Sequence, residues 1–289
     1  MVSENDIRRY VAEILQDLAG QAPPVAAAAV RSAGSEEILP DITEIDLSEV
    51  INVPSPHNLE ALKAVKKITP ARIGVGRAGP RYLTDTLLRF RADHAVAMDA
   101  VFNEIPADWI ARHNLPQFRT KCDTKDVYLT RPDLGRRFDA ETAAKIKAHV
   151  GALAKIVVFI ADGLSTTAVT ANAIDCLKAM TDGLAASGLK TSPPFLVQYG
   201  RVGSEDDVSE IVGAEVVVCL IGERPGLATA ESMSAYLCYK AYHDIPEAKR
   251  TVVSNIHRGG TPAVEAGSYL ADIVKLMLEK KASGLDLKL

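Results

Sequence analysis

One stretch of this 289-residue chain carries glycines at a spacing that could bind a dinucleotide. It is Gly74-Val75-Gly76-Arg77-Ala78-Gly79, which fits the pattern G-x-G-x-x-G. A working dinucleotide turn needs a buried strand before the glycines and a helix that begins at the last one. The preceding residues, KKITPARI, contain Pro70 and few apolar side chains, which makes a poor central strand. A nicotinamide-dependent oxidoreductase is therefore the alternative hypothesis, beside a plain glycine turn or an anion-contacting loop.

Four other stretches combine glycine with charged or polar residues, and each follows an apolar, β-branched run. The runs are KIVVFIA (155–161), FLVQYG (195–200), AEVVVCLIG (214–222) and RTVVSNI (250–256). The stretches after them are DGLST (162–166), GRVGSED (200–206), GERPG (222–226) and SNIHRGG (254–260). Ligands of open α/β sheets bind beyond the carboxyl ends of the strands, and glycine lets the backbone approach them closely. We therefore predict a broad polar rim that holds a large ligand.

The most reactive side chains of this rim are those of Ser165, Glu223 and His257. Ser165 does not lie in a G-x-S-x-G elbow, which argues against a serine hydrolase. The zinc patterns H-E-x-x-H and H-x-x-E-H are also absent from the sequence. We expect no metal site on this chain, and we interpret His257 as a polar loop residue.

The elements that must position the rim divide the chain into regions. From residue 155 onward, apolar runs alternate with helix-like segments, which predicts an α/β domain over 151–289 with a Rossmann-like, doubly wound parallel sheet. Residues 46–150 are predicted to be mainly helical, with KDVYLTRPDLGRRF as an irregular, charged segment. Helical spacing is clearest in HNLEALKAVKKI, PRYLTDTLLRFRADHAVAMDAVF and DAETAAKIKAHVGAL.

The N-terminal residues have a pattern of their own. Within 1–20, Ile7, Val11, Ile14 and Leu18 fall on one face of an amphipathic helix, and 21–45 read as a linker rich in Pro, Ala, Gly and Ser. Such a helix either docks on its own domain or lies in a groove of another protein.

Composition excludes several classes of protein. Hydrophobic residues make up 47% and charged residues 24% of a chain with net charge −4, which is typical of a soluble globular protein without a nucleic-acid partner. No apolar run is long enough to span a membrane, and the charged N-terminus does not resemble a secretory signal. Four cysteines without a C-x-x-C pair favour a reducing, cytoplasmic compartment, and Cys219 is expected to be a buried thiol.

Several long motifs in one order resemble the small (light) subunit of ethanolamine ammonia-lyase, from about residue 55 to the C-terminus. They are RAGPR (77–81), LLRFRADHA (87–95), VYLTRPDLGRRF (127–138), VVFIADGLSTTAV (157–169), YGRVGSEDD (199–207), GAEVVVCLIGERPGLATAESMSAY (213–236) and SNIHRGGTPAVEA (254–266).

The resemblance implies an adenosylcobalamin-dependent carbon–nitrogen lyase that converts ethanolamine to acetaldehyde and ammonia by radical chemistry. It implies a β/α-barrel large subunit as partner, in a hexamer of large–small pairs, with the corrinoid between the two subunits. Substrate contacts are then expected on the large subunit and no catalytic residue on this chain. Because enzymes of ethanolamine degradation are often housed in bacterial microcompartments, residues 1–20 are interpreted as a possible shell-targeting peptide.

The resemblance also assigns three cofactor-binding positions on this chain: Val202, Glu223 and Val252. Relatives can have cysteine at the last position, so a contact there through sulfur would be lost whereas a backbone contact would remain. Many cobalamin proteins carry D-x-H-x-x-G, whose histidine binds cobalt. That motif is absent here, since Asp93 directly precedes His94. We therefore expect the cofactor to keep its own dimethylbenzimidazole on cobalt.

Overall fold

The computed structural model describes residues 41–151 and 154–288, and residues 42–289 form one compact unit. The predicted helix within 1–20 and most of the predicted linker lie outside the described residues, and residues 41–45 are neither helical nor extended. Eight α-helices occur in the described part of the chain. They are α1 (Leu59–Lys67), α2 (Thr84–Phe102), α3 (Ala107–Arg112), α4 (Lys125–Thr130), α5 (Ala140–Val150), α6 (Thr166–Ala186), α7 (Ser204–Val212) and α8 (Ala263–Lys280).

The helical spacing read from the sequence is confirmed for α1, α2 and α5, which lie in the three segments that showed it most clearly. Side-chain oxygens of Asn58 and Asp139 cap α1 and α5 by accepting backbone N–H groups, as expected of these residue types. The segment expected to be irregular, 125–138, contains the short helix α4 and a single 3₁₀ turn at Leu134–Arg136.

A six-stranded mixed sheet forms the centre of the molecule. Its strands lie in the order β3-β5-β4-β6-β7-β8, and a separate two-stranded hairpin is formed by β1 and β2. The strands are β1 (Arg77–Ala78), β2 (Arg81–Tyr82), β3 (Gln117–Arg119), β4 (Ile156–Ala161), β5 (Phe195–Gln198), β6 (Val216–Gly222), β7 (Met233–Tyr239) and β8 (Thr251–Ile256).

The four strands predicted from the apolar runs are confirmed, and so is the α/β class, but the prediction of a purely parallel sheet is wrong. β7 pairs antiparallel with both β6 and β8, so β6 is followed by a strand and not by a helix. β3, which comes from the region expected to be mainly helical, adds a parallel strand beside β5. Neither strand was predicted, because β3 has only three residues and β7 alternates polar with apolar residues.

Two layers of helices cover the faces of the sheet. Ile156, Val158 and Ile160 of β4 point to one face, where they join the same buried cluster as residues of α6 and α8. Val157 and Phe159 point to the other face, where they share a cluster with residues of α5 and α7. Because β4 is fully buried on both faces, its sequence is a continuous apolar run and shows no alternation.

The carboxyl ends of the four predicted strands lie at one edge of the sheet. β4 runs parallel to β5 and to β6, and two successive antiparallel pairings bring β8 back to the direction of β6. The loops that begin at Asp162, Tyr199, Glu223 and His257 therefore leave the sheet on the same side, as the sequence predicted.

The G-x-G-x-x-G stretch does not form a dinucleotide turn. Arg77–Ala78 pairs antiparallel with Arg81–Tyr82, and Gly79 and Pro80 form the turn between them. Gly76 has φ +69° and lies so close to the chain that an added Cβ would be 2.2 Å from the carbonyl oxygen of Asn52. These glycines are needed for a tight hairpin and its packing, and the oxidoreductase hypothesis loses its structural basis.

Two further findings concern the described residues. None of the helices there is long and apolar enough to cross a bilayer. All four cysteines are buried as free thiols, and burial raises the pKa of Cys219 well above its usual value. An inert, buried thiol at Cys219 agrees with its place inside the apolar strand β6.

Candidate functional site

The site begins with an exposed part of the sheet face formed by β7 and β8. Val252 in β8 pairs across the strands with Tyr236 in β7, and its side chain is 45% exposed. Tyr236 lies between the buried cluster of this face and the solvent. A half-exposed valine beside a half-buried phenol gives a flat surface that can contact a large planar ligand.

Glu223 stands at the edge of this surface, directly after β6. Its Oε2 accepts the hydroxyl of Ser232 at 2.7 Å, and its Oε1 accepts the hydroxyl of Ser234 and the backbone N–H of Asn255 at 3.1 Å. Partial burial raises the pKa of this carboxyl, but the three donors outweigh that effect and hold the pKa below its usual value. Glu223 is therefore an ionised carboxylate in a fixed orientation.

Val202 lies in the turn between β5 and α7. Its carbonyl oxygen accepts the backbone N–H of Glu205 at 3.0 Å, and its side chain packs against the buried cluster that also contacts Tyr236. The adjacent Gly203 lies against Arg136, whose Cγ would be 3.1 Å from an added Cβ. The turn thus packs directly against segment 127–138.

Segment 127–138 holds the same turn at a second point. The backbone N–H of Arg201 donates to the carbonyl of Gly135 at 2.9 Å, and the Arg201 guanidinium donates to the carbonyl of Tyr128 at 2.7 Å. The hydroxyl of Tyr128 donates to the carbonyl of Gly200 at 3.1 Å. Two of the motifs that carried the family resemblance are therefore packed together, and this contact fixes the backbone on either side of Val202.

Asp162, at the end of β4, joins two loops of the rim. Its carboxylate accepts the backbone N–H of Tyr199 at 2.8 Å and that of Gly200 at 3.0 Å. Burial raises the pKa of Asp162 to about 6, although the backbone donors and Lys125 lower it in part. The two hydrogen bonds position Tyr199, which has φ +57°.

The loops after β4 and β6 touch through glycine. A Cβ at Gly222 would lie 2.1 Å from the carbonyl oxygen of Ser165, and one at Gly163 would lie 2.2 Å from the carbonyl oxygen of Gly222. The Ser165 hydroxyl donates to the carbonyl of Ala230, which ties the far end of the β6–β7 loop to the start of α6. Ser165 is thus a structural residue and not a nucleophile.

His257 also has a local role. Its Nδ1 accepts the backbone N–H of Gly259 at 3.1 Å, so Nε2 carries the proton and donates to Oδ1 of Asn255 at 2.8 Å. Both ring nitrogens are therefore engaged within one turn. Across residues 41–151 and 154–288, no group of three His, Cys, Asp or Glu side chains is placed to hold a metal ion.

A cavity of about 860 Å³ lies between residues 42–52, 66–75, 85–96 and 226–230, so it borders the loop after β6. Three of its charged side chains are paired with each other. Asp93 binds Arg72 at 2.6 Å and Arg89 at 2.9 Å, and the Arg89 guanidinium also donates to the carbonyls of Ile42 and Ile45. Arg72 donates to the carbonyl of Leu227, so this cluster holds the β6–β7 loop that begins at Glu223.

Two of the three predicted cofactor positions contact β7, and the third packs on the same buried cluster as Tyr236. Val252 pairs with Tyr236, Glu223 accepts a hydrogen bond from Ser234 of the same strand, and Val202 packs on the cluster that contacts Tyr236. Sequence reasoning missed Ser232, Ser234 and Tyr236 because it missed β7. The signal was present, since polar and apolar residues alternate through SMSAYLC (232–238), as in a strand with one open face.

Comparison with known proteins agrees with these motifs. The family model of the ethanolamine ammonia-lyase light chain (EutC) matches residues 59–288. The chain is 50% identical over 295 aligned positions to the ethanolamine ammonia-lyase small subunit of Clostridium tetani, and 49% identical to that of Fusobacterium nucleatum, with all of both chains covered in each case. The small subunit of Clostridioides difficile is 46% identical, with 99% of this chain and all of the relative covered. The chain belongs to the family of ethanolamine ammonia-lyase small subunits.

Proposed function

We propose that this chain, together with a large subunit, holds adenosylcobalamin in an ethanolamine ammonia-lyase and that Val202, Glu223 and Val252 contact the cofactor. The observation that carries the proposal is the fixed carboxylate of Glu223 beside the exposed surface of Tyr236 and Val252. The positions were assigned from the family resemblance, and the surface combines an exposed valine, a tyrosine and one fixed carboxylate.

Glu223 fits the periphery of a corrinoid because that periphery carries amide groups. Oε1 already accepts two hydrogen bonds, whereas Oε2 accepts one, from Ser232. A carboxylate oxygen can accept about two hydrogen bonds, so Oε2 can take an amide N–H from the ligand. The serine hydroxyls and the Asn255 N–H fix the carboxylate in advance, which lowers the entropic cost of binding.

Val252 and Val202 provide apolar contact. The Val252 side chain points away from Val253, which packs against the buried cluster of the opposite face. Relatives can have cysteine at this position, so a contact through sulfur would be lost here, whereas a contact through methyl groups or backbone would remain. Val202 is held by backbone hydrogen bonds on both sides, and its side chain packs on the same buried cluster as Tyr236.

His257 supports the proposal that cobalt keeps the cofactor's own dimethylbenzimidazole. Both nitrogens of His257 are used within its turn, so the only histidine of the rim would have to break two hydrogen bonds to bind cobalt. An electron paramagnetic resonance spectrum of the Co(II) form with coupling to a ¹⁵N-labelled protein nitrogen would contradict this.

The chemistry of the rim indicates which roles belong to the cofactor, to this chain and to the large subunit. When bound, the cofactor supplies radical chemistry, and the protein supplies binding, orientation and electrostatics. Glu223 holds one charge at the ligand edge, and Val202 and Val252 exclude water from the contact. We place the substrate-binding residues on the large subunit and no catalytic acid or base on this chain.

The test is a cofactor titration of the complex between this chain and its large subunit. The chain carrying Glu223→Gln is compared with Glu231→Gln, which alters an exposed carboxylate of the same loop. We expect Glu223→Gln to weaken adenosylcobalamin binding about tenfold, since a charge-assisted hydrogen bond contributes about 1.5–3 kcal/mol, and Glu231→Gln to bind as wild type. If wild type and both variants bind the cofactor with equal affinity, Glu223 does not contact the cofactor. A stable complex that takes up no corrinoid would favour a scaffold that has lost the cofactor.

Three finer proposals concern the assembly. The parallel strands β5, β4 and β6, with helices on both faces, support a Rossmann-like relationship for 151–289, to which β3 and α5 of 46–150 add one strand and part of the helical cover. We propose a hexamer of large–small pairs, which the mass of the purified complex tests.

We also propose that residues 1–20 target a microcompartment shell. A fluorescent protein carrying only 1–20 would then co-purify with shells, and an evenly dispersed signal would contradict the targeting role.

A further inference from the structure

A buried charge cluster lies next to the proposed cofactor surface, with its arginine two residues before Val252. The guanidinium of Arg250 binds both oxygens of Asp206, at 2.7 and 2.9 Å, and also donates to Oε1 of Glu205. Its Nε donates to Glu247 at 2.8 Å. Glu205 and Arg250 are almost wholly buried, whereas the Glu247 side chain is 76% exposed. One cation therefore faces three carboxyl groups, two of them inside the protein.

The charges of this cluster balance only if one buried carboxyl group is neutral. With Glu205 and Asp206 both ionised, the buried groups would carry an excess negative charge, which is costly away from water. Asp206 has the better geometry for the ionised form, since it is bonded through both oxygens. Glu205 uses only Oε1, and its Oε2 has no hydrogen-bond partner among the described residues.

The groups that surround Glu205 provide little additional positive charge. Arg137 acts on Asp206 but is itself paired with Asp207 at 3.2 Å. From the strands, the neutral side chains of Cys219, Cys238 and Tyr236 interact with Glu205. Burial raises the pKa of Glu205 to about 8, although Arg250 lowers it in part. Burial beside Asp206, which already binds Arg250 through both oxygens, therefore favours the neutral form of the Glu205 carboxyl group.

The cluster also connects two of the three proposed contact positions. Glu205, in the first turn of α7, donates its backbone N–H to the carbonyl of Val202. Arg250 directly precedes β8, in which Val252 is the second residue. The hydrogen bonds from Arg250 to Glu205 and Asp206 of α7 thus fix the distance between the turn of Val202 and the strand of Val252.

We propose that Glu205 is a positioning residue of the cofactor site, whose neutral carboxyl group keeps α7 and β8 together through Arg250 and whose ionisation separates them and weakens cofactor binding. This inference rests on the proposed function of the rim. When Glu205 loses its proton, it competes with Asp206 for Arg250 and adds a buried negative charge. When the start of α7 separates from β8, water can reach that charge. The same movement changes the distance between Val202 and Val252.

The test is the dissociation constant of adenosylcobalamin for the complex with the large subunit, measured from pH 6.5 to 9.5. Wild type is compared with Glu205→Gln, which keeps the shape of the side chain but cannot ionise, and with Glu231→Gln as the exposed control. We expect wild type and control to lose about tenfold in affinity between pH 7 and pH 9. The complex with Glu205→Gln should bind adenosylcobalamin with wild-type affinity at pH 7, and this affinity should not change up to pH 9.

If the cofactor affinity of Glu205→Gln falls with pH as much as that of wild type, the inference is overturned, because a group other than Glu205 then titrates. If Glu205→Gln does not fold, hydrogen exchange of the wild-type complex decides. After correction for the intrinsic pH effect, protection of 199–205 and 250–253 should fall between pH 7 and pH 9, and constant protection would overturn the inference. A wild-type complex that takes up no corrinoid at pH 7 would contradict the proposed function itself.

Discussion

The carboxylate of Asp162 accepts the backbone N–H of Tyr199 at 2.8 Å, and this bond joins the loops that follow β4 and β5. A second bond, from the N–H of Gly200, uses the other oxygen of the same carboxylate. Asp162 is 4% exposed, so these donors have no access to bulk water. The rim thus depends on a buried carboxyl group that contacts no part of the proposed ligand surface.

Replacement of Asp162 by alanine should destabilise the chain strongly. Two buried N–H groups would lose their acceptor, and each such loss costs about 1–3 kcal/mol. We expect the free energy of unfolding to fall by about 3 kcal/mol, as measured by urea denaturation of the full chain. The control is Asp175→Ala, at an exposed position of α6, where we expect a change within about 0.5 kcal/mol. Equal stability of both variants would show that Asp162 does not hold the loops.

The sequence predicts an element of this site well when the element is long and its hydrophobic pattern is regular. The buried strands β4 and β6 have six and seven residues that are buried on both faces, so their apolar runs identified them directly. The glycines after them marked the rim correctly, because the close approach of Gly222 to Ser165 is possible only without a side chain.

The elements that sequence reasoning missed are those set by distant contacts. β3 has three residues and is a strand only because Gln117–Arg119 pairs with β5. The ion pairs of Arg250 join residues 44 and 45 positions apart, and no local pattern reports such a separation. The Arg72–Asp93 pair likewise depends on how α2 packs against a loop, which spacing along the chain does not reveal.

Gly222 ends β6 and Gly226 lies in the loop that follows, and the two positions should respond differently to alanine. A Cβ at Gly222 would collide with two backbone carbonyls, at 2.1 and 2.7 Å, whereas the nearest atoms at Gly226 are 3.9 Å away. Backbone atoms cannot rotate away, so Gly222→Ala must displace the loop that carries Glu223. We expect a loss of about 3 kcal/mol in stability and weaker cofactor binding by the complex, with Gly226→Ala close to wild type.

Thermal denaturation and a cofactor titration, both on the complex, check this prediction. Wild-type melting and wild-type affinity for Gly222→Ala would mean that the loops after β4 and β6 are further apart than the glycine contact implies.

Asp93→Asn should release the β6–β7 loop from α2. The substitution leaves Arg72 and Arg89 without their carboxylate, and breaking a buried ion pair on one side costs about 3–5 kcal/mol. Hydrogen exchange of the full chain should increase at 42–46 and near Leu227, since both segments are bound by these arginines. Asp99→Asn, at an exposed position of the same helix, is the control. The prediction fails if both variants exchange alike at these two segments.

Val252 offers the most direct test of which sheet face meets the cofactor. Val252→Glu places a charge on the exposed surface beside Tyr236, where an apolar ligand face would have to desolvate it. We expect this variant to fold normally, because the side chain is half-exposed, but to weaken adenosylcobalamin binding by the complex at least tenfold. Val252→Cys keeps the size and apolar character of the position and should bind within about twofold of wild type, since free Cys behaves as a small hydrophobe.

The matched control for this pair is Val264→Glu, which introduces the same charge at a valine of α8 that is 57% exposed. It should leave both the free energy of unfolding and the cofactor affinity unchanged. If Val252→Glu binds the cofactor as wild type while the complex stays intact, the corrinoid does not lie on the β7–β8 face. If Val252→Cys binds adenosylcobalamin markedly tighter than wild type, the family contact uses sulfur. Valine at this position then binds the cofactor more weakly than cysteine does.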